Sequence, residues 1–293
     1  MPPLGIITMK RYLFLAFFAL IGCDKTPPAV SKLDDGEKLV LTELPAKGWG
    51  TLKGRVVFDG IPPERKPIDL GTNPHKDHCE SPDLKDNTWI VDPASKGVAN
   101  VVVWLQAPSG TYFPRQPADR KTWGTTMVVD QPRCEFEPHI TVLYPEVYDP
   151  KQQKMVANDQ KFVIRNNSGL IHEAELTGSP LRNPQRRDLI PARVAGSPAR
   201  ELIVPVKTDK QPIELRCSLH KWMVGYIRAF DHPYAAITNP DGTFELKNVP
   251  AGVAVTVQAW HEAGEVNIPA AQREITIPVD GVVDLNATVV IKK

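Results

Sequence analysis

Neither sign of charge dominates this chain: 35 Lys and Arg face 34 Asp and Glu, a net charge of +1. So even a balance gives no electrostatic reason to expect nucleic acid or an anionic membrane surface as partner. Long hydrophobic runs are missing too. The apolar stretch near the N-terminus, Tyr12 to Ile21, is ten residues, and a membrane-spanning helix needs about 20. No long helical periodicity occurs beyond residue 22. Serine-nucleophile, Walker A, GxGxxG and HExxH patterns are absent, which points away from an enzyme. Methionine is scarce, at five, but proline is not: its 29 residues punctuate short β-branched runs. A chain of 293 residues can bury one large core or two smaller ones, and the expected class is all-β.

What the chain does carry begins with an address. "MKRYLFLAFFALIGC" sets Lys10 and Arg11 before the apolar stretch and ends in Gly22 and Cys23, the layout of a signal-peptide core. The ending "LIGC" resembles a bacterial lipobox, which implies cleavage before Cys23, its lipidation, and stable anchoring by two or more acyl chains. Residues 1–22 are thus expected to be a lipoprotein signal peptide and 23–46 a flexible polar tether. The expected location is the periplasm, membrane-anchored, or the cell surface. Lipidation of Cys23 leaves Cys79, Cys134 and Cys217. Export to an oxidising compartment favours a disulfide. Cys79 and Cys134 both lie in stretches without strand character, "HKDHCESPD" and "QPRCEFEPH", and are the expected pair. The sequence also permits Cys217 to pair with either. Left unpaired, an exported thiol needs an explanation, and metal ligation supplies one.

Beyond residue 46, β-branched runs recur between turn residues, among them "TLKGRVVFDG", "VANVVVWLQ", "KFVIRN", "IELRC", "VGYIRAF" and "VAVTVQAW". Ile213, Leu215 and Cys217 share one face of such a run while Glu214 and Arg216 take the other, a period of two that fits a β-sandwich. "NPDG" at 239–242 and "NVPAG" at 248–252 read as tight turns. Residues 177–200, with Pro, Gly and Arg and no period, read as one long loop.

"CSLHKWM", residues 217–223, holds a thiol, an imidazole and a thioether within seven residues. Thiolate and thioether are soft ligands and imidazole is intermediate, so this set favours copper; Met is a poor zinc ligand. A blue-copper centre needs two His and one Cys in a plane with a long axial Met. "KFVIRNNSGLIHEAEL" offers the second imidazole, His172, after a strand and an Asn-Asn-Ser-Gly turn. The order strand, "NNSGLIH", loop, strand, "CSLHKWM" resembles the cupredoxin family over residues 125–230. Its Cys-x2-His-x2-Met loop is similar to that of the amicyanin-like members. The resemblance implies a cupredoxin-like Greek-key β-sandwich and one type 1 copper on His172, Cys217, His220 and Met223. It also implies single-electron exchange with a redox partner protein. Glu173 beside the first ligand departs from the family pattern. Trp222 and Val224, next to the ligands, are expected to form a docking patch; the alternative for Trp222 is a core aromatic covering the site. His75 and His78 read as exposed loop residues, the alternative being a weak second metal site, and His139, His232 and His261 read as hydrogen-bonded structural histidines.

"DGTFELKNVPAG" and the apolar strand after it resemble the carboxypeptidase regulatory-like (transthyretin-like) β-sandwich, which would occupy residues 231–293. Residues 47–124 read as an N-terminal β region whose first strands look like the same module, so 231–293 could pair with 47–110. The combination of modules resembles exported lipoproteins of Planctomycetes-type bacteria. Multicopper oxidases need His-x-His pairs and a dinuclear site needs a second loop cysteine; the sequence has neither. The expected function is a membrane-anchored blue copper protein that carries electrons. The alternative is a copper-free adhesion or glycan-binding β-sandwich lipoprotein. Copper storage or delivery would call for Met- or His-rich tracts, which five Met do not make.

Overall fold

The computed structural model describes residues 39–115 and 125–291. The expected signal peptide, the lipidation site Cys23 and most of the tether lie outside the described residues. Among the described residues no helix is long and apolar enough to cross a membrane. The architecture is all-β, and its two described helices, Lys76–Cys79 and Ala270–Arg273, are four residues each.

Four main sheets form two sandwiches. One sheet orders Thr243–Ala251, Gly48–Phe58, Val282–Ile291 and Gly264–Asn267; another orders Ala235–Ile237, Val102–Gln106, Ala254–Trp260 and Glu274–Thr276. Between them Leu52, Val56, Val103, Leu105, Val257 and Val289 form a buried core. Gly48–Phe58 pairs in parallel with Val282–Ile291, so the early and late parts of the chain share one sandwich. The intervening residues build the other. A five-stranded sheet orders Arg186–Ile190, His172–Thr177, Ile213–Arg216, Val224–Ala229 and Ile140–Leu143. A three-stranded sheet orders Arg200–Val204, Lys161–Asn166 and Thr126–Gln131. Phe162, Ile164, Ile213, Leu215 and Ile227 fill this core, and Cys79 and Cys134 pack into it.

Val102–Gln106 serves both sides of its sheet. Val103 and Leu105 enter the first core, whereas Val102 and Trp104 meet Ile140, Val142 and Phe230 of the other sandwich. Burial on both faces explains why "VANVVVWL" reads as a continuous apolar run instead of alternating.

The "NPDG" turn forms as its residues require. Asp241 Oδ1 accepts from the Thr243 amide (3.0 Å) and hydroxyl (2.6 Å), and Gly242 takes a φ of +80°, a region that only glycine enters without strain. Gly97 crosses this turn so closely that a Cβ there would lie 1.7 Å from the Asp241 carbonyl oxygen.

Residues 177–200 are not one long loop. Arg186–Ile190 is an edge strand antiparallel to His172–Thr177. Its sequence, RRDLI, hides the strand because an edge position tolerates charge, and cross-strand pairs such as Arg187–Glu175 (2.7 Å) stabilise the register.

Candidate metal centre

Cys217 follows the strand Ile213–Arg216 and continues its inward face, leaving the thiol 1% exposed. Two imidazoles from different segments meet it. His220 Nδ1 lies 3.6 Å from Cys217 Sγ and His172 Nδ1 lies 4.0 Å away, and both rings are buried. Met223 is buried in the same core. Its amide donates to the His220 carbonyl (2.8 Å) and its carbonyl accepts from the Cys217 amide (3.3 Å), so the turn brings Met223 back beside Cys217.

The hydrogen bonds behind the rings determine which nitrogens face the thiol. Asn166 Nδ2 donates to the carbonyls of Leu170, Ile190 and Pro191 (2.8–3.1 Å), which leaves its Oδ1 facing Ser168. The Ser168 hydroxyl lies 3.0 Å from that oxygen, 3.2 Å from the Leu170 carbonyl and 2.9 Å from His172 Nε2. His172 Nε2 is thus engaged by Ser168, and Nδ1 is the ring nitrogen left facing Cys217. His220 is held likewise: its Nε2 lies 2.9 Å from His75 Nδ1 while its Nδ1 faces the thiol. Such outer partners orient metal-ligating imidazoles. Glu173, adjacent to His172, has a part as well. Its amide points at Cys217 Sγ (3.3 Å), a donor suited to a thiolate, and its carboxylate accepts from the Ser218 amide (3.2 Å).

Cys79 and Cys134 are joined, with 55 residues of separation, and their sulfurs lie within 4.8 Å of a His220 nitrogen. Bonded sulfurs offer no thiolate and so are not ligands. They secure a cover. His75 precedes the short helix ending at Cys79, and Asn73 Nδ2 donates to the Leu219 carbonyl (2.9 Å), which docks this segment on the 217–223 turn. His75, expected to be an exposed loop residue, is half-buried against His220; His78 is exposed. Trp222 turns inward: its Nε1 donates to the Cys134 carbonyl (3.0 Å) and its ring lies 5.4 Å from that of His220. Val224 is half-buried and pairs with Arg216. His261 stacks on Trp89 and His232 lies among Phe113, Phe230 and Tyr234, away from the thiol.

Sequence reasoning missed Asn166 and Ser168, and gave His75 no place at this centre. Asn166 had a signal, since a period of two along Phe162, Ile164 and Asn166 places it inward with the core residues. His75 had none, because its partner lies 145 residues away.

Burial pushes the pKa of His172 down to about 3 and that of His220 to about 4, with the charges of neighbouring histidines adding to the effect. Burial likewise raises the Cys217 thiol, against the lowering by nearby amides. Metal-free, the cluster is thus two neutral imidazoles and a protonated thiol. The imidazole shifts have a consequence for stability. Below the ordinary histidine pKa of about 6.5 the unfolded chain takes up protons that the folded one refuses. Stability should therefore fall as pH drops from 6.5 towards 4, with His220 contributing about 3 kcal/mol of that loss. Urea midpoints of the metal-free chain at several pH values check this against His220→Gln. Equal pH slopes in the two proteins would contradict it.

The cluster suits a metal ion on geometry. Ligand bonds of about 2.3 Å from sulfur and about 2.0 Å from nitrogen, set at about 120°, would separate sulfur from nitrogen by about 3.7 Å. The observed 3.6 and 4.0 Å straddle that distance. The thiol is buried with an amide aimed at it, and each ring has its second nitrogen already engaged.

No protein-family model matches the chain, and the searches of curated proteins and of solved structures return no match either.

Proposed function

We propose that this chain is a type 1 (blue) copper protein that carries single electrons, tethered to a membrane through a lipidated Cys23. The observation that supports this best is the convergence of one thiol and two imidazole Nδ1 atoms, each imidazole braced through its other nitrogen. Cys217, His172, His220 and Met223 would hold the ion, a soft set that suits copper. Bound copper would supply one-electron chemistry between Cu(I) and Cu(II). The protein's own part is rigidity and burial. Buried, cross-braced ligands would keep their places whichever charge the site carries, and their burial would limit the access of water to the ion.

In this reading the sandwich of residues 125–230 is cupredoxin-like and the other is of carboxypeptidase regulatory-like type. The redox partner would meet the rim where Ile171 (40% exposed) and Leu219 (37%) present apolar surface beside the ligands. Trp222 then acts as a cover of the site, since its polar end is committed to Cys134.

Titration of the full chain in mild detergent with Cu(II), followed by visible spectroscopy, tests the proposal. One equivalent should produce an intense thiolate-to-copper band that ascorbate bleaches and air restores. A chain that stays colourless through the titration would instead favour a copper-free binding module.

A further inference from the structure

Away from the candidate metal centre, a cavity of about 430 Å³ opens where the two sandwiches meet. Arg228 lies in its wall. Alternation along Val224–Ala229 sends Ile227 and Ala229 into the second core and turns Arg228 the other way, towards the first sandwich. Its guanidinium carbon sits 4.8 Å from the Trp104 ring centre and 5.4 Å from that of Phe230. The side chain is 4% exposed. A guanidinium has five N–H donors. Here Nη1 donates to the Lys210 carbonyl (3.1 Å), Nε is buried without a partner, and no ion pair forms among the described residues. Burial lowers its pKa to about 10, with Asp209 opposing, so it stays charged at neutral pH.

A buried cation without a counter-ion is costly, and the carboxylates of the cavity do not supply one. Asp209 has both oxygens engaged, Oδ2 by the Ser179 amide (2.9 Å), Ser179 hydroxyl (2.8 Å) and Asn183 (2.9 Å), and Oδ1 by the Gln211 amide (3.1 Å). Asp231 is 42% exposed. Lys210 also lies in the wall. The aromatic part of the wall is already in place. Tyr112 and Tyr148 lie with ring centres 4.9 Å apart, and their hydroxyls donate to Glu43 (3.1 Å) and the Leu39 carbonyl (2.5 Å), neither of which lines the cavity. These tyrosines have ring surface to offer a ligand, since their hydroxyls are bonded elsewhere.

We infer that this cavity is a binding site for a small monocarboxylate with a flat apolar body. The carboxylate would sit against the Arg228 guanidinium and the body among Trp104, Phe230 and Tyr112. Its size is that of a small-molecule site, and a planar guanidinium backed by aromatic rings is the group best shaped to grip a carboxylate. A purely structural Arg228, riveting the sandwiches through its ring contacts, would show no preference for an acid. The site does not depend on any metal.

Phenylacetate and phenylacetamide, equal in shape and different in charge, are the probes. Calorimetric titration of the full chain should give saturable binding of phenylacetate, with phenylacetamide at least tenfold weaker. Arg228→Met should weaken phenylacetate by a similar factor and leave the amide unaffected. Equal affinity for acid and amide, or no saturable binding of either, overturns the inference. That comparison uses the unmodified protein, so it decides the matter even where Arg228→Met fails to fold.

Discussion

Cu(II) added to Cys217→Ser should leave the protein colourless. The intense visible band of a blue-copper site arises from thiolate-to-copper charge transfer, and a serine hydroxyl neither ionises at neutral pH nor offers a soft donor. Affinity should fall by more than the roughly 10- to 100-fold that loss of an outer-shell partner brings. The fold should survive. The substitution keeps the shape of a side chain that is 1% exposed, and the Glu173 amide, 3.3 Å from the sulfur, can donate to the new oxygen. A stability loss of about 1–2 kcal/mol is expected for burying that hydroxyl, which urea midpoints of the metal-free proteins will show. A blue band that persists in Cys217→Ser would put the sulfur ligand elsewhere and end the proposed assignment.

Removal of the disulfide is expected to have the largest effect on stability. Cys79 and Cys134 are separated by 55 residues, and a cross-link of that span stabilises by roughly 4 kcal/mol in the chain-entropy model. Ala at both positions keeps the sites apolar where the cysteines are 3% and 0% exposed. The urea midpoint of Cys79→Ala/Cys134→Ala should drop accordingly. A second effect should appear at the candidate metal centre. The segment that carries His75 onto His220 Nε2 is tied down by this bond and by Asn73. Once the bond is gone, His220 should lose part of its brace, and copper loaded into the chain should pass to an external chelator faster than from the parent protein. An unchanged midpoint together with an unchanged transfer rate would show that the bond neither orders this segment nor protects the site.

Several features were legible without coordinates because they are local. The period of two along Ile213, Leu215 and Cys217 put the thiol on the inward face of its strand, which is where it lies. "NPDG" declared its turn through residue types that close it by their own hydrogen bonds. The disulfide is not local: Cys79 and Cys134 lie in stretches without strand character, and of the pairings the sequence leaves open theirs is the one that forms. The edge strand Arg186–Ile190 escaped notice because nothing local marks it. Its stability comes from a neighbouring strand and from charge pairs across it, and neither leaves an apolar period in the segment itself.

By itself, then, the sequence determined an all-β chain and placed a cysteine, a histidine and a methionine on one short turn. Side-chain alternation and turn chemistry act over a few residues, and those rules are enough for both. Only the tertiary structure decided which nitrogens face the thiol, that His75 covers His220 from 145 residues away, and that Arg228 is buried beside a cavity. Each of these depends on contacts between segments remote in sequence. Packing and hydrogen-bond satisfaction choose such contacts jointly, and no single segment carries the pattern.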